Sequence, residues 1–273
     1  MSDSDSARVR ATYEVRAESA DIEAVARALA TEQSVEMPVA AITDRRVLDE
    51  VVARVDDIVA TGPDRFLVTL GLATETLCTA VGPADTAQLL NMAFGNCSLL
   101  DDVRLVDLVL PDDVLTSFPG PRFGIAGLRR LCAAEGRPLS CTALKPQGLP
   151  PEGLAALCER FARAGLDLVK DDHGLADQRA APFARRVEAC QAAVERAHAS
   201  TGRTTWYVPS LVGAPSTLFR HAAVARELGV RAVLVAPSLI GPATFRELVD
   251  DHLDGMAVLA HPSFAGAARG DPP

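Results

Sequence analysis

Apolar and polar positions alternate near the start of the chain, and stretches with helical spacing follow. Residues 9–15 alternate in the manner of a strand, and residues 21–31 have apolar positions at helical spacing behind Asp21, a candidate N-cap. The same criteria predict strands at 65–70 and 103–110 and a helix at 85–94. Strands and helices in this order indicate a small N-terminal α+β domain whose sheet is covered by helices.

A segment rich in proline and glycine, residues 118–124, interrupts regular structure and predicts the domain junction, so that the domains span 1–117 and 118–273. Beyond it the pattern becomes a regular alternation of strands and helices. The strands are expected at 139–144, 166–170, 204–208, 232–235 and 256–259, and the helices at 151–164, 182–199, 216–228 and 242–252.

Repeated βα units of this length give parallel strands with right-handed crossovers. A (β/α)₈ barrel and a doubly wound open sheet both fit, but no strand is followed by a glycine-rich dinucleotide fingerprint. Candidate functional residues cluster where strands end, as they do at the C-terminal face of a barrel. The fold class is therefore α/β. Because only about five of the eight βα units of a barrel can be counted, either the barrel is incomplete or the topology differs.

Composition excludes several classes of protein. The net charge of −9 offers no basic face for nucleic acid. The N-terminus is acidic and polar, unlike a signal peptide, and no uninterrupted apolar run reaches about 18 residues. These features predict a cytoplasmic protein that binds neither nucleic acid nor membrane. The six cysteines form no CxxC pair and are expected to be buried, reduced thiols.

One strand ends in an amine, two carboxylates and an imidazole, in the order Lys170, Asp171, Asp172 and His173. Because side chains alternate along a strand, Lys170 and Asp172 should share one face, and Asp171 should lie on the other. His173 lies where the strand yields to a loop and can turn back toward that site. The pattern predicts a divalent-metal site, although the same residues could cap the next helix or form a structural ion pair.

Three sequence blocks resemble the large-subunit family of ribulose-bisphosphate carboxylase (RuBisCO). They occur in the family's order and at about its spacing, within a similarity that runs from about residue 12 to 267: Gly-Pro-Arg-Phe-Gly-Ile at 120–125, Thr-Ala-Leu-Lys-Pro at 142–146 and Gly-Leu-Asp-Leu-Val-Lys-Asp-Asp at 165–172. The chain is most similar to the non-carboxylating branch, the RuBisCO-like (form IV) proteins. This implies a ferredoxin-like N-terminal domain, a TIM-type barrel and a homodimer whose active sites combine one subunit's barrel with the other's N-terminal domain.

The resemblance also implies roles for individual residues. The lysine matching Lys170 takes up CO₂ as a carbamate, which binds Mg²⁺ together with the residues matching Asp172 and His173. The lysine matching Lys145 works in proton transfer at the substrate, and the histidine matching His261 belongs to the same site. A metal held in this way polarises a substrate carbonyl and stabilises the enediolate that forms when a base removes the α-proton.

Two residues of the N-terminal domain, Glu32 and Asn96, match family residues that cover the neighbouring subunit's site. Either could equally be an ordinary capping or surface residue. Similarly, Lys145 could be a solvated lysine at a strand end, and His261 could be a core histidine. The remaining histidines are expected on the solvated faces of helices, at positions 198, 221 and 252.

The chain departs from the carboxylases at several site positions. It has His173 in place of a glutamate, Gln147 in place of a lysine, Pro209 in place of an asparagine, Ala236 in place of an aspartate and Pro262 in place of an arginine. Imidazole is a poorer ligand for Mg²⁺ than a carboxylate. These departures argue against CO₂ fixation.

The resemblance therefore implies a metal-dependent enolase or isomerase acting on a phosphorylated ketose, such as 5-methylthioribulose 1-phosphate in methionine salvage. The family's phosphate-binding loops, which follow strands six to eight of the barrel, have no counterpart in this sequence. A non-catalytic, C-terminally truncated member of the family is thus one alternative, and a genuine carboxylase is another.

Overall fold

The computed structural model describes residues 8–79 and 82–268. These residues divide into two compact units, and the boundary along the chain lies between Pro119 and Gly120. The boundary predicted from the sequence, after residue 117, lies within the same turn-rich segment. Each unit has its own hydrophobic core.

The N-terminal unit has the element order βαββαβ, with a short hairpin before the second long helix and a helical turn at the end. Its elements are β1 (Arg8–Arg16), α1 (Ile22–Glu32), β2 (Arg54–Gly62), β3 (Arg65–Ala73), β4 (Cys78–Thr79), β5 (Gly82–Ala84), α2 (Thr86–Phe94), β6 (Val103–Val109) and α3 (Asp112–Leu115). The candidate N-cap Asp21 makes no side-chain capping bond, whereas the Asp85 carboxylate accepts the Gln88 N–H at the start of α2.

The four long strands form one antiparallel sheet in the order β2-β3-β1-β6. In this order α1 connects β1 to β2 and α2 lies between β3 and β6, two pairs of strands that are not hydrogen-bonded neighbours. This is the ferredoxin-like arrangement that the resemblance implied. One face of β1, carrying Val9, Ala11, Tyr13 and Val15, is buried against the helices, as its alternation requires. The sequence did not predict β2, because this edge strand buries no residue and shows no apolar alternation.

The C-terminal unit alternates strands and helices. Its elements are α4 (Gly124–Leu131), β7 (Cys141–Leu144), α5 (Pro151–Arg163), β8 (Leu168–Asp171), α6 (Phe183–Thr201), β9 (Trp206–Val208), β10 (Ser210–Leu211), α7 (Pro215–Glu227), β11 (Ala232–Val235), α8 (Pro237–Ile240), α9 (Pro242–Glu247) and β12 (Ala257–Ala260).

The strands of this unit are parallel and pair in sequence order, β7-β8-β9 and β10-β11-β12. Only Pro209 separates β9 from β10. It has no N–H to donate, but its carbonyl accepts the Leu234 N–H at 2.9 Å, so the two halves continue one another. With β9 and β10 counted as one strand position, the described residues provide five successive strand positions of a βα barrel. The predicted α/β class, with an α+β domain before a partial barrel, is confirmed.

Side chains on the two faces of these strands enter two different cores. Residues such as Val169, Tyr207 and Val233 pack against helices α5 to α7. Their neighbours in sequence, such as Leu168 and Leu234, pack on the opposite face, where Trp206, Val208 and Ala257 lie. This alternation determines which functional side chains can meet at the strand ends.

Three sequence-based expectations are wrong in detail. The helix expected at 242–252 is instead α9 followed by a wide helical turn at Leu248–His252, with the additional short helix α8 before it. Cys78 and Cys141 are exposed, although all six cysteines are free thiols. His221 is buried and stacks on Phe183 at a centroid distance of 4.0 Å, because its face of α7 packs against α6.

Candidate functional site

The carboxyl ends of β7, β8 and β12 carry the site residues of the C-terminal unit. Lys145 follows β7, Lys170 is the last residue but one of β8, and His261 follows β12. Parallel pairing aligns Ala143 with Lys170, and the His261 N–H extends the ladder by donating to the Val235 carbonyl at 2.8 Å. Parallel strands present their carboxyl ends at one edge, so these residues lie at a common end of the sheet.

Asp172 is the centre of the polar contacts there. The side chain is largely buried, and Oδ1 lies 3.3 Å from Lys145 Nζ and 3.7 Å from His173 Nδ1. Burial acts to raise the pKa of Asp172, but the Gly174 N–H and the Lys145 ammonium outweigh it, so the pKa of this carboxyl is lowered. The site therefore holds a carboxylate anion between a cation and an imidazole at neutral pH.

The two histidines of the site stack on one another. The ring centroids of His173 and His261 are 4.7 Å apart, and the rings are inclined by 14°. Burial, followed by the neighbouring His173 and Lys170, lowers the pKa of His261. His173 therefore lies beside Asp172, and His261 lies close enough to Lys170 and Asp172 for their charges to act on its pKa.

Asp171 has a different role from Asp172. It is fully buried on the helix side of β8, where its carboxylate accepts hydrogen bonds from Arg186 Nε at 3.1 Å, the Tyr207 hydroxyl at 2.7 Å and the Ser210 N–H at 3.0 Å. Burial raises the pKa of Asp171, and these three donors oppose that shift. The alternative that the acidic pair forms a structural ion pair is thus correct for Asp171.

This buried network joins three elements. Arg186 belongs to α6, Tyr207 to β9, and Ser210 to β10, directly after Pro209. Asp171 precedes Asp172, and Lys170 Nζ donates to the Asp171 carbonyl at 3.2 Å. The network therefore fixes the backbone from which Lys170 and Asp172 project.

The donor set fits a divalent cation only if Lys170 is modified. Among the described residues, no group of three or more His, Cys, Asp or Glu side chains is arranged to hold a metal. Asp172 and His173 supply two donors, and Asp171 is committed to Arg186 and Tyr207. An ammonium on Lys170 repels a cation, whereas a carbamate there supplies the missing anionic oxygens that hard cations prefer.

Gln147 replaces a family lysine and packs directly on the loop after β8. A Cβ atom at Gly174 would overlap the Gln147 amide nitrogen, so a side chain at position 174 would displace the Gln147 amide. Gly174 also donates its N–H to Asp172 Oδ2 at 3.4 Å. The neutral amide of Gln147 thus packs against the loop that carries the candidate metal ligands, at a position where carboxylases have a lysine.

The N-terminal unit brings its two candidate residues together. Asn96 Nδ2 donates to Glu32 Oε1 at 3.0 Å. The adjacent Gln33 is buried, donates to the Met92 carbonyl at 2.6 Å and accepts the Cys97 N–H at 3.4 Å. Gln33 therefore links the end of α1 to the segment after α2 and holds Glu32 beside Asn96, a role that the sequence analysis missed.

Comparison with known proteins decides the family. Residues 124–269 match the family model described as ribulose bisphosphate carboxylase large chain, catalytic domain. The chain is also 50% identical over 267 residues to a protein from Rhodospirillum rubrum named 5-methylthioribulose-1-phosphate isomerase, which covers 97% of this chain and 70% of that protein. The chain belongs to the RuBisCO large-chain family. Within it, this is a RuBisCO-like protein, as the three sequence blocks indicated.

Two further comparisons extend this result. The crystal structure of a RuBisCO-like protein from Rhodopseudomonas palustris superposes with a TM-score of 0.82 at 44% identity, covering 94% of this RuBisCO-like chain and 70% of that one. A Geobacillus thermodenitrificans protein named 2,3-diketo-5-methylthiopentyl-1-phosphate enolase is 38% identical over 187 residues, which are 67% of this chain and 45% of that protein. Within the residues described here, no helix has the length and apolar character needed to cross a membrane.

The residues that hold this RuBisCO-like site in place were not recognisable from the predicted elements alone. Tyr207 and Arg186 belong to other elements than Asp171, Tyr207 has the pattern of a core residue, and Ser263 has that of a loop residue. Their positions became apparent only from the packing. The one available signal was the charge of Arg186 on the apolar face of a predicted helix.

Proposed function

We propose that this chain is a metal-dependent isomerase of phosphorylated ketoses, with 5-methylthioribulose 1-phosphate as its substrate and methionine salvage as its context. The observation that carries the proposal is the meeting of Asp172 with Lys145 and His173 at the strand ends of a chain 50% identical to an isomerase of that name. The departures from the carboxylases at Gln147, Pro209, Ala236 and Pro262 support an activity other than CO₂ fixation.

Lys170, as a carbamate, would hold Mg²⁺ together with Asp172 and His173. A divalent cation bound there would polarise the substrate carbonyl and stabilise the charge of an enediolate. The chain's own residues then have separable tasks. The Asp172 carboxylate holds Lys145 Nζ at a distance of 3.3 Å. The nitrogen of Lys145 would thereby remain close to the reacting carbons for proton transfer.

Lys145 is accessible to a substrate, because two-thirds of its side chain is exposed while its partner Asp172 is largely buried. The buried network of Asp171, Arg186 and Tyr207 keeps the loop that carries Asp172 and His173 in register with β8. A reactive group on a rigid support is positioned more accurately than one on a mobile loop.

Glu32 and Asn96 are proposed to cover the active site of a second copy of the chain, which makes the functional unit a homodimer. Their mutual hydrogen bond of 3.0 Å on the surface of the N-terminal unit supports the proposal, because it orients a carboxylate and an amide toward the same exterior. Both are suited to hydrogen bonding with the hydroxyl groups of a sugar phosphate.

The alternative reaction is enolisation of 2,3-diketo-5-methylthiopentyl 1-phosphate, the substrate in the name of the Geobacillus relative. The lower identity and smaller coverage of that relative favour the isomerase. Both reactions begin with removal of a proton next to a carbonyl, so one assay format distinguishes them.

The full chain would be incubated in deuterium oxide with Mg²⁺, bicarbonate and each substrate in turn, and followed by proton NMR. We expect isomerisation of 5-methylthioribulose 1-phosphate with deuterium incorporated at the reacting carbon, and loss of both in Lys170→Met. Turnover of the diketone alone would support the enolase instead. Neither turnover nor exchange with either compound would contradict the proposal and favour a non-catalytic member of the family.

A further inference from the structure

Ser263 contacts His261 through two different groups. The Ser263 hydroxyl lies 2.8 Å from His261 Nδ1, and the Ser263 backbone N–H donates to the same ring nitrogen at 3.2 Å. Pro262 lies between them, and its fixed φ restricts the turn that brings the two residues together. The contact is therefore local in sequence and is built into the end of β12.

The backbone contact determines the proton on the ring. A backbone N–H can only donate, so Nδ1 must accept and carries no hydrogen. The hydroxyl, which can donate or accept, must then also donate to Nδ1. A neutral imidazole has one N–H, and with Nδ1 as acceptor that hydrogen is on Nε2.

We propose that Ser263 is a positioning residue that holds His261 as its Nε2–H tautomer, so that this histidine offers the substrate a hydrogen-bond donor and no basic lone pair. The inference rests on the proposed function and deepens it. Nδ1 is occupied by Ser263, so Nε2 is the ring nitrogen left for a substrate. A donor aimed at an oxygen where negative charge develops stabilises an enediolate more than the ketone that precedes it.

Two further contacts restrain the position of the His261 ring. The face of His261 stacks on His173, with centroids 4.7 Å apart. Its backbone is tied to β11 through the bond to the Val235 carbonyl. Stacking restrains the ring plane, and the two bonds from Ser263 restrain rotation within that plane, so the position of Nε2 is determined.

This assignment separates His261 from the group that removes the substrate's α-proton. A histidine whose Nε2 bears hydrogen cannot accept a proton there, so another group of the site must remove the α-proton. If Ser263 had only a structural role in the turn, its hydroxyl would affect the stability of the fold. Its loss would then change neither the tautomer of His261 nor kcat.

The first test is the tautomer itself, which needs no substrate. Nitrogen-15 histidine labelling and long-range proton–nitrogen NMR would be performed on the full chain at about pH 8, above the ordinary histidine pKa, with the ring signals of His261 assigned by their loss in His261→Gln. We expect a pyrrole-type Nε2 and a pyridine-type Nδ1. A pyrrole-type Nδ1 would overturn the proposal.

The second test compares Ser263→Ala with Ser263→Thr, which retains the hydroxyl. Ser263→Ala keeps the backbone N–H but loses the hydroxyl, so the population of the Nε2–H tautomer should fall. The kcat for 5-methylthioribulose 1-phosphate should fall by about 10- to 100-fold, the range for removing a hydrogen-bond partner of a metal-bound histidine. KM should change little, and Ser263→Thr should restore both properties. An unchanged tautomer and kcat in Ser263→Ala would overturn the proposal.

The two tests separate this inference from the proposed function. If the unaltered chain shows the expected tautomer but turns over neither substrate, the proposed function fails and the assignment of His261 stands. If the chain is active but Nδ1 carries the hydrogen, the function stands and the role of Ser263 is rejected.

Discussion

At the scale of single residues, the two adjacent aspartates have opposite surroundings. Asp172 is ionised at the site between Lys145 and His173, whereas Asp171 is enclosed by Arg186 and Tyr207 on the helix side of β8. The alternation of a strand is enough to predict that they point apart. The sequence could not show which partners each one has, because those partners come from distant elements.

His173 occupies a position where carboxylases use glutamate, and this difference predicts the strength of metal binding. In His173→Glu, Mg²⁺ should bind more tightly in the presence of bicarbonate, by about tenfold, because an anionic oxygen suits this cation better than imidazole. Isothermal titration calorimetry measures the change. His198→Glu, at an exposed histidine on α6, is the matched control and should bind as the unaltered chain does. Weaker binding in His173→Glu would contradict the assigned ligand set.

At the scale of elements, the start of β8 is held by a charged contact that the sequence did not predict. Asp167 is almost fully buried and accepts two bonds of 2.7 Å from Arg137, together with the Ser140 N–H at 2.8 Å. The Arg137 guanidinium, opposed by burial and assisted by Ser140, holds the pKa of Asp167 well below its usual range. This contact joins the entry of β7 to that of β8, at the end of the strands opposite the site.

The depressed pKa makes the stability contributed by Asp167 depend on pH. A carboxyl whose pKa is lower in the folded chain stabilises the fold above its unfolded pKa of about 3.9 and loses that contribution as the pH falls toward the folded value. Asp167→Asn should therefore be less stable than the unaltered chain at neutral pH, and the difference should shrink below about pH 4. Urea unfolding across this range measures it.

Asp251→Asn, at an exposed aspartate of the same unit, is the control and should change stability little at any pH. A difference between Asp167→Asn and the unaltered chain that stayed constant as the pH fell would show that the Arg137 contact does not depend on the ionised carboxylate.

At the scale of the whole molecule, the order of elements was predictable and several details were not. Periodicity identified the long strands of the N-terminal unit except β2, whose charged edge sequence has no apolar face, and it did not identify the short hairpin of β4 and β5. It identified all five strand positions of the partial barrel but not the interruption at Pro209, which depends on the pairing of β10 with β11. The site residues at 145, 170, 172, 173 and 261 could be named from the family resemblance, whereas Arg186, Tyr207 and Ser263 required the tertiary structure.

The proposed dimer predicts complementation between inactive variants. Glu32→Ala removes the carboxylate of the N-terminal unit, and Lys170→Met removes the lysine of the barrel, so each variant alone should have little activity. Mixing them after reversible dissociation should restore up to about a quarter of the unaltered activity, because random pairing gives one intact site in half of the dimers. Failure to recover activity in a confirmed mixed dimer would contradict a site shared between subunits.

The proposed metal site depends most directly on Lys170 becoming an anion. The decisive measurement is a carbon-13 NMR spectrum of the full chain with labelled bicarbonate, with and without Mg²⁺, compared with Lys170→Met and with Lys145→Met as the control lysine. We predict a carbamate signal that strengthens with Mg²⁺, persists in Lys145→Met and is lost in Lys170→Met. No such signal, or one that survives in Lys170→Met, would contradict the carbamate–metal site on which the proposed activity rests.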